Sequence, residues 1–383
     1  MTIGFLRRCR RRRVWPLLGL ACAIVLVAPG RVAASQTLRV CADCQYTTIG
    51  DALAASQDGD RIMVGPGTYS GGFTISTNVT VQGTGEDATI LIPGGPRNQL
   101  GLFGPVVAVA SDTTATMRGV TITGNRIMSG ALSNSGTLRL INSAVSRTSV
   151  AGYGNLRNTG TLTLINSSVT QNGAQGSGAI LNDGTLTLIN SEVSENGVEP
   201  GSGGIDNSGV ATISDSIVSG NYGRYYAGGI LNGGNMRIAN SIISGNASGS
   251  ATGGIDNSGV LVVVDTTVSD NLGGGSSGGG GISNTGSLTI HDSILTGNNG
   301  GHVGGGILNF ATLTITGSAI SANFALSGQG RGGGIFNSGN ATLADSTVTG
   351  NMADSGGGIW NDGSVTLKDS IVSDNTPDDC FGC

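Results

Sequence analysis

Apolar and polar residues follow one repeating order along the chain from about residue 130 to the C-terminus. The clearest copy of this repeat, GGGISNTGSLTIHDSILTGN, spans Gly279 to Asn298. The isoleucine after the glycines recurs every 24 to 28 residues, at Ile180, Ile205, Ile230, Ile255, Ile282, Ile307, Ile335 and Ile359. This step predicts that each copy is one structural layer, which buries its apolar side only by stacking on its neighbours.

Each copy contains three short segments with the pattern of β-strands. In Leu288-Thr289-Ile290, apolar and polar residues alternate, and a period of two with β-branched residues predicts a strand. The other two segments surround the isoleucine after the glycines and the S-x-I/V-S stretch. Asn-x-Gly and Asp-Ser or Asn-Ser separate them, and these residues favour turns. The sequence therefore predicts an all-β chain, a solenoid of about 12 coils of about 25 residues in which parallel strands stack coil on coil.

Residues at equal positions of successive coils are expected to stack as ladders, at a spacing of roughly 4.8 Å. Asparagine ends the third segment in nine coils, at Asn172, Asn196, Asn221, Asn246, Asn271, Asn298, Asn323, Asn351 and Asn375. Stacked asparagines can bond one another and the backbone groups of the turn. We interpret this ladder as structural; an amide-lined ligand groove is the alternative.

Both ends of the chain depart from the repeat. Residues 1–35 combine six arginines with an apolar run and small residues, which is the layout of a secretory signal peptide; an uncleaved anchor is the alternative. In residues 36–70, Thr48 to Asp51 predicts the capped start of a short helix that covers the first strand. The β-helix is expected over 71–375. The tail, 376–383, either folds over the last coil or meets a partner.

Charge is distributed unevenly along the chain. Seven of the 19 basic residues precede residue 36, whereas all 24 acidic residues follow it, so the mature chain has a formal net charge of −12. This balance argues against nucleic acid, which needs basic stripes, and disfavours polyanionic sugars. It favours solubility and a loose affinity for divalent cations.

Four cysteines of the mature chain form two C-x-x-C pairs, Cys41 with Cys44 and Cys380 with Cys383. About a dozen coils separate the pairs, so they are expected roughly 50–60 Å apart. A shared four-thiolate metal site is then excluded within one molecule. In an exported protein each pair is expected to form a local disulfide, and redox chemistry is the alternative.

Several passages resemble right-handed parallel β-helix proteins of the pectate-lyase-like superfamily. They include Tyr46 to Ile49, Gly65-Pro66-Gly67-Thr68-Tyr69, and coils in which Ser219-Gly220-Asn221 precedes Gly228-Gly229-Ile230. Within the superfamily, the chain is most similar to bacterial secreted proteins with polymorphic-outer-membrane-protein-type repeats. The resemblance covers residues 41–383 and implies a right-handed coil. It implies polysaccharide chemistry only weakly, because the Gly-His-Gly motif of the hydrolases is missing.

Two pairs of aspartates are candidates for chemistry. Asp206 and Asp256 are expected at the same outward position two coils apart, roughly 9–10 Å between backbones, which approaches the carboxylate separation of inverting glycosidases. Asp265 and Asp292 are expected in adjacent turns, where they could hold Ca²⁺ or where one could have a raised pKa. Asp and Asn alternate at the second position, so a role in capping turns is the simpler interpretation.

Aromatic residues are rare, at 4% of the chain, so their clusters stand out. Tyr222, Arg224, Tyr225 and Tyr226 share one insert between coils, and tyrosine with arginine suits contacts with sugars and proteins. Leu308, Phe336 and Trp360 occupy one outward position of three successive coils. They predict either an exposed apolar stripe that binds a ligand or a stripe covered by the insert over 324–333.

These observations predict an exported, non-catalytic β-helix that serves as a cell-surface or extracellular binding or structural module, similar to an adhesin. Its expected partner is a glycan or a protein, with no membrane span in the mature chain and no cofactor, Ca²⁺ excepted. The alternative is a polysaccharide lyase or glycoside hydrolase that acts on the outer face of the β-helix.

Overall fold

Three parallel β-sheets run along the chain, one from each strand of the repeat. The computed structural model describes residues 34–383, except 129, 153, 276 and 277. We number the sheets in the order in which one coil passes through them. Residues 1–33 of the predicted signal peptide lie outside the described residues.

Sheet 1 contains the strands that follow the paired glycines. Its 13 strands are Phe73–Ile75, Val107–Val109, Leu132–Asn134, Leu156–Asn158, Ile180–Asn182, Ile205–Asn207, Ile230–Asn232, Ile255–Asn257, Ile282–Asn284, Ile307–Asn309, Ile335–Asn337, Ile359–Asn361 and Cys380–Phe381.

Sheet 2 contains the Leu-Thr-Ile strands. Its 14 strands are Thr37–Val40, Arg61–Val64, Thr80–Gln82, Thr114–Arg118, Thr137–Ile141, Thr161–Ile165, Thr185–Ile189, Val210–Ser214, Asn235–Ala239, Val260–Val264, Ser287–His291, Thr312–Thr316, Asn340–Ala344 and Ser364–Lys368.

Sheet 3 contains the S-x-I/V-S strands and, in several coils, a second short strand after the asparagine. Its strands are Gly67–Ser70, Thr89–Ile92, Thr121–Ile127, Ala144–Val150, Ser168–Thr170, Gly173–Ala174, Glu192–Ser194, Gly197–Val198, Ile217–Ser219, Tyr222–Gly223, Ile242–Ser244, Ala247–Ser248, Thr267–Ser269, Ile294–Thr296, Ala319–Ser321, Thr347–Thr349 and Ile371–Ser373. Phe324–Ala325 pairs separately with Met352–Ala353.

The predicted all-β, right-handed parallel β-helix is confirmed, with about 14 turns, as counted along sheet 2. This number exceeds the expected dozen because Thr37–Val40 pairs with Arg61–Val64 and extends sheet 2 into the N-terminal region. The core is a column of inward-facing side chains, among which Ile282, Leu288 and Leu295 are buried within one coil. Each coil therefore contributes one apolar layer, and neither neighbour of an inner coil can be removed without exposing it.

The predicted asparagine ladder is confirmed as a buried column. From Asn172 to Asn375, each side-chain Nδ2 donates to the Oδ1 of the next asparagine at 2.9–3.0 Å. The same Oδ1 also accepts the backbone N–H of the preceding asparagine, as Asn246 accepts from Asn221. A second ladder, from Asn134 to Asn361, follows the Asn-x-Gly turns with spacings of 2.7–2.8 Å. Both ladders satisfy polar groups of turns that water cannot reach.

A seven-residue helix, Ile49–Ala55, lies at the N-terminal end of the column. The Thr48 side chain caps it by accepting the Asp51 N–H at 3.1 Å. Ile49, Ala52 and Leu53 are buried against the first strands of sheets 1 and 2. In the part of the chain that the structure describes, no helix has the length and apolar character of a membrane span.

The C-terminal tail returns to the last coil and continues sheet 1. Cys380 pairs with Ile359 and Phe381 with Trp360. Asp379 Oδ1 takes the place of the next ladder asparagine, because it accepts both the backbone N–H and the Nδ2 of Asn375 at 3.0 Å. The Gly382 carbonyl accepts the Nδ2 of Asn361, the last asparagine of the second ladder, at 3.0 Å. The tail thus extends sheet 1 and ends both asparagine ladders.

Candidate functional site

The four predicted binding residues of the tyrosine insert lie together on the surface. Tyr222 starts a short strand of sheet 3, in register with Gly197 before it and Ala247 after it. The exposed fractions of Tyr222, Tyr225 and Tyr226 are 41%, 52% and 52%. Three aromatic rings on one edge of a chain this poor in aromatic residues form an amphipathic surface.

Arg224 orders this insert through contacts on two sides. Its guanidinium lies 3.1 Å from the Glu199 carboxylate of the preceding coil and 5.3 Å from the centroid of the Tyr225 ring. Both charged side chains are half exposed, so the ion pair contributes little to stability. The ion pair instead positions Arg224 beside the Tyr225 ring and neutralises the charge of Glu199.

A groove of about 550 Å³ adjoins the insert on sheet 3 and was not predicted from the sequence. It is lined by Leu102, Ser149, Val150, Ala151, Gly173, Ala174, Gln175, Gly197 and Glu199. The one signal in the sequence was the glycine after the ladder asparagine in two coils, Gly173 and Gly197, where the next coil has Tyr222. The contribution of Leu102, from a long loop of an irregular coil, could not be inferred from the repeat.

A larger groove of about 630 Å³ lies near the N-terminal end, lined among others by Glu86, Asp87, Arg118 and Asn142. Its lining residues include no aromatic side chain. The lining of the groove on sheet 3 also lacks aromatic side chains, but its Glu199 contacts Arg224 of the tyrosine insert, so we regard this groove as the better candidate for ligand binding.

Asp206 and Asp256 do occupy the same outward position of sheet 1, two coils apart, with Leu231 between them. Both are half-buried, and burial raises the pKa of each carboxyl. At Asp206 a hydrogen bond from Ser177 partly offsets this rise in pKa, whereas the charge of Asp183 adds to it. A raised pKa suits a proton donor. Leu231, however, lies between the two aspartates in the stack, so they are not direct neighbours.

Asp265 and Asp292 lie in adjacent turns with left-handed backbone, at φ 46° and 48°. Asn190, Asp215 and Asn240 adopt the same conformation in other coils, as the turn-capping interpretation requires. His291 Nδ1 lies 3.0 Å from Asp292 Oδ2. Ca²⁺ takes six to eight oxygen ligands, more than two carboxylates supply. Among the described residues, no group of three or more His, Cys, Asp or Glu could hold a metal ion.

Of the two predictions for the Leu308, Phe336 and Trp360 stripe, an exposed stripe that binds a ligand through Phe336 and Trp360 is wrong, and a covered stripe is what the structure has. Leu308 is fully buried and Phe336 is 8% exposed. Trp360 stacks between Phe336 at 4.5 Å and Phe381 at 6.0 Å, between ring centroids. Arg331, from the predicted covering insert, lies 5.0 Å from the Trp360 centroid. Both faces of this indole are therefore covered by the chain itself, which leaves no ring face for a sugar.

The two C-x-x-C pairs form local disulfides in the structure, Cys41 with Cys44 and Cys380 with Cys383. One lies beside the N-terminal helix and the other closes the tail, at opposite ends of the column. Neither lies near the groove on sheet 3.

No protein-family model matches this chain, and no curated protein sequence matches it. Among solved structures, it is similar to the A-module of mannuronan C-5 epimerase AlgE4 from Azotobacter vinelandii, with 14% identity, a TM-score of 0.42, and 84% of this chain and 88% of the other covered. It is also similar to a GH87 alpha-1,3-glucanase catalytic domain in complex with tetrasaccharides, with 13% identity, a TM-score of 0.49 and coverage of 91% and 71%.

A third similar structure is pectate lyase Pel9A, with 16% identity, a TM-score of 0.39 and coverage of 91% of this chain and 82% of the other. At these identities the likeness concerns the fold alone.

Proposed function

We propose that this chain is an exported, non-catalytic β-helix that binds a glycan on its outer surface through Tyr222, Arg224, Tyr225 and Tyr226. The observation that carries this proposal is the exposure of three tyrosine rings beside an open groove. Tyrosine offers both an apolar ring and a hydroxyl. Sugars present both kinds of surface, so such a site suits them.

Export is supported by the arginine-rich start, the apolar run and the small residues of 1–35. Local disulfides are stable in the oxidising compartments to which such a signal leads. The likeness of the coils to polymorphic-outer-membrane-protein-type repeats fits a place at a bacterial surface or outside the cell. We expect the partner to be a surface glycan, and a protein partner is the competing outcome.

Glycan-array binding, followed by titration calorimetry of the best ligand, tests this function. Tyr225→Ala is expected to weaken binding at least tenfold, because it removes a half-exposed ring and the contact of Arg224 with that ring. Phe310→Ala is the matched control, since Phe310 is 48% exposed and lies three coils further on, in the turn between sheets 1 and 2. Equal binding by both variants would contradict the proposal.

A polysaccharide lyase or hydrolase is the second candidate, favoured by the raised pKa of Asp206 and Asp256. A general acid needs a carboxyl that keeps its proton near the working pH. Release of reducing ends or unsaturated products from neutral and acidic polysaccharides, lost in Asp206→Asn, would establish this activity and replace the binding function. No release by the wild-type chain would leave the binding function preferred.

Ca²⁺ binding by Asp265 and Asp292 stays a prediction. Titration of the metal-free protein with CaCl₂ tests it directly. A heat of binding that disappears in Asp265→Asn would support the site. An identical titration of that variant would remove Ca²⁺ from the function.

A further inference from the structure

Two neighbouring coils lack a side chain at one outward position of sheet 3. This position is Ser149, Gly173, Gly197 and Tyr222 in four successive coils. The coils that follow place larger residues there, namely Ala247, Leu272, Asn299, Phe324 and Met352. The row of side chains is therefore interrupted over two coils, and this gap forms the floor of the groove.

The two glycines are not required by the backbone. Neither has a positive φ. A Cβ at Gly197 would meet no atom within 4 Å, and a Cβ at Gly173 would meet only the Gly197 carbonyl oxygen, at 3.8 Å. By contrast, a Cβ at Gly203 would clash with the Gly228 carbonyl oxygen. Close packing between coils therefore explains a glycine such as Gly203. It does not explain Gly173 and Gly197, whose missing side chains leave open space on the surface.

The groove has an ordered wall at one end and stops at the strand of Tyr222 at the other. Leu102 closes one end, on a loop whose Asn98 Oδ1 accepts the N–H groups of Leu100 and Leu102 at 2.9 Å. At the other end the Tyr222 hydroxyl lies near Gly249 of the next coil, so its side chain leans away from Gly197. Ser149 and Tyr222 are three strand spacings apart, roughly 14 Å. A short oligosaccharide fits this length.

The lining carries no unpaired charge. Glu199 is its one ionisable residue, and Arg224 holds that carboxylate at 3.1 Å. Ser149 and Gln175 offer hydrogen bonds, while Leu102 and Ala151 offer apolar surface. A ligand with many hydroxyl groups and no net charge matches this mixture, since an anionic sugar would meet Glu199.

We infer that the groove binds an uncharged oligosaccharide that lies across the strands, parallel to the axis of the β-helix, with Tyr222 at its end. This inference rests on the proposed function, because it extends the glycan site of the tyrosine insert along the neighbouring coils. The groove supplies length and selects against charge. The tyrosines supply the ring contacts.

The test compares variants that fill the groove with one that fills equivalent open space elsewhere. Gly173→Tyr and Gly197→Tyr block the floor, and the free space over each Cβ lets them fold. Gly233→Tyr is the matched control, because its Cβ also meets nothing closer than 3.8 Å and it lies in a turn after sheet 1. Circular dichroism and melting curves verify that all three variants keep the wild-type fold.

Binding is measured by calorimetry with maltohexaose, cellohexaose, laminarihexaose, their disaccharides and an oligogalacturonate. We expect one neutral hexasaccharide to bind better than its disaccharide and better than the oligogalacturonate. Each groove variant should weaken its binding at least tenfold, about 1.4 kcal/mol, and Gly233→Tyr should leave it unchanged.

The outcomes separate the groove from the tyrosine insert. If Tyr225→Ala weakens binding while Gly173→Tyr and Gly197→Tyr bind normally, the groove inference is overturned and the proposed function stands. A preference for the oligogalacturonate, or for an extended peptide over every saccharide, overturns the assigned ligand class. If no saccharide binds the wild-type chain, both the groove inference and the proposed function fail.

Discussion

Replacing one ladder asparagine by alanine should destabilise the fold far more than replacing the asparagine beside it. Asn298 is fully buried. Its Nδ2 donates to Asn323 Oδ1 and to the Val268 carbonyl, both at 2.9 Å. Its Oδ1 accepts the backbone N–H of Asn271 at 3.1 Å and the Nδ2 of Asn271 at 2.9 Å. Asn298→Ala removes all four hydrogen bonds and leaves the buried Asn271 N–H without its partner, whereas Asn323 Oδ1 keeps the Asn298 N–H and Asn271 Nδ2 keeps the Ile243 carbonyl.

At roughly 1 kcal/mol for each hydrogen bond, Asn298→Ala should lower the free energy of unfolding by about 4 kcal/mol. Asn299 is exposed and accepts a single hydrogen bond, from the Gly301 N–H, so Asn299→Ala should cost about 0.5 kcal/mol or less. The two changes remove the same atoms from adjacent positions. Their difference therefore isolates the effect of the ladder.

Urea unfolding followed by circular dichroism measures both variants against the wild-type chain. Because coils of a solenoid stabilise their neighbours, the loss at Asn298 is expected as a lower midpoint for a large part of the β-signal. Equal midpoints for Asn298→Ala and Asn299→Ala would refute the idea that the buried amide column stabilises the coils.

Three further predictions concern the tail, the half-buried carboxyl of Asp256, and Gly254 at a close contact between coils. Phe381→Ala should shift the fluorescence of Trp360, the one tryptophan after the predicted signal peptide, to longer wavelength, because it uncovers one face of the indole; an unchanged spectrum would show that the tail does not cover it. Burial raises the folded-state pKa of Asp256 above its ordinary 3.8, so its carboxyl stabilises the fold most below that ordinary pKa and loses this contribution as pH rises through the raised pKa. Asp256→Asn should therefore raise Tm at neutral pH and leave it unchanged in acid; the opposite dependence in thermal melts would contradict the assignment. A Cβ at Gly254 would clash with a carbonyl of the next coil, so Gly254→Ala should lower Tm markedly while Gly233→Ala leaves it nearly unchanged; equal melting curves would argue against close coil packing.

The repeat carried most of the information about the fold. The spacing of Ile180 to Ile359 predicts the coil length, and the alternation in Leu288-Thr289-Ile290 predicts which side chains face inward. Both hold along the chain because every coil buries its apolar side chains at the same positions. The asparagine ladder followed from the same logic. The helix after Thr48 was predictable because a capping residue and a buried face are local signals.

The surface was less predictable, because it depends on segments that differ between coils. The contact of Arg331 with Trp360 depends on an insert of irregular length, and no period decides between such a cover and an exposed stripe. The groove needs Leu102, from a loop between two degenerate coils, to lie beside Gly173 and Gly197. The return of the tail to Trp360 is likewise a contact between segments that the repeat does not relate.

The carboxylate of Asp379 is the last acceptor of the asparagine column. One N–H of every side-chain amide from Asn172 onwards donates to the next member of the column, toward the C-terminal end, and the last of these bonds meets a carboxylate. A carboxylate has no N–H with which to pass the chain of hydrogen bonds onward. Whole coils can therefore be duplicated or deleted in the interior with every amide still paired, whereas a coil added beyond Asp379 would have to begin a new column. The number of coils can therefore vary in the interior of the column, whereas Asp379 ends this series of amide hydrogen bonds.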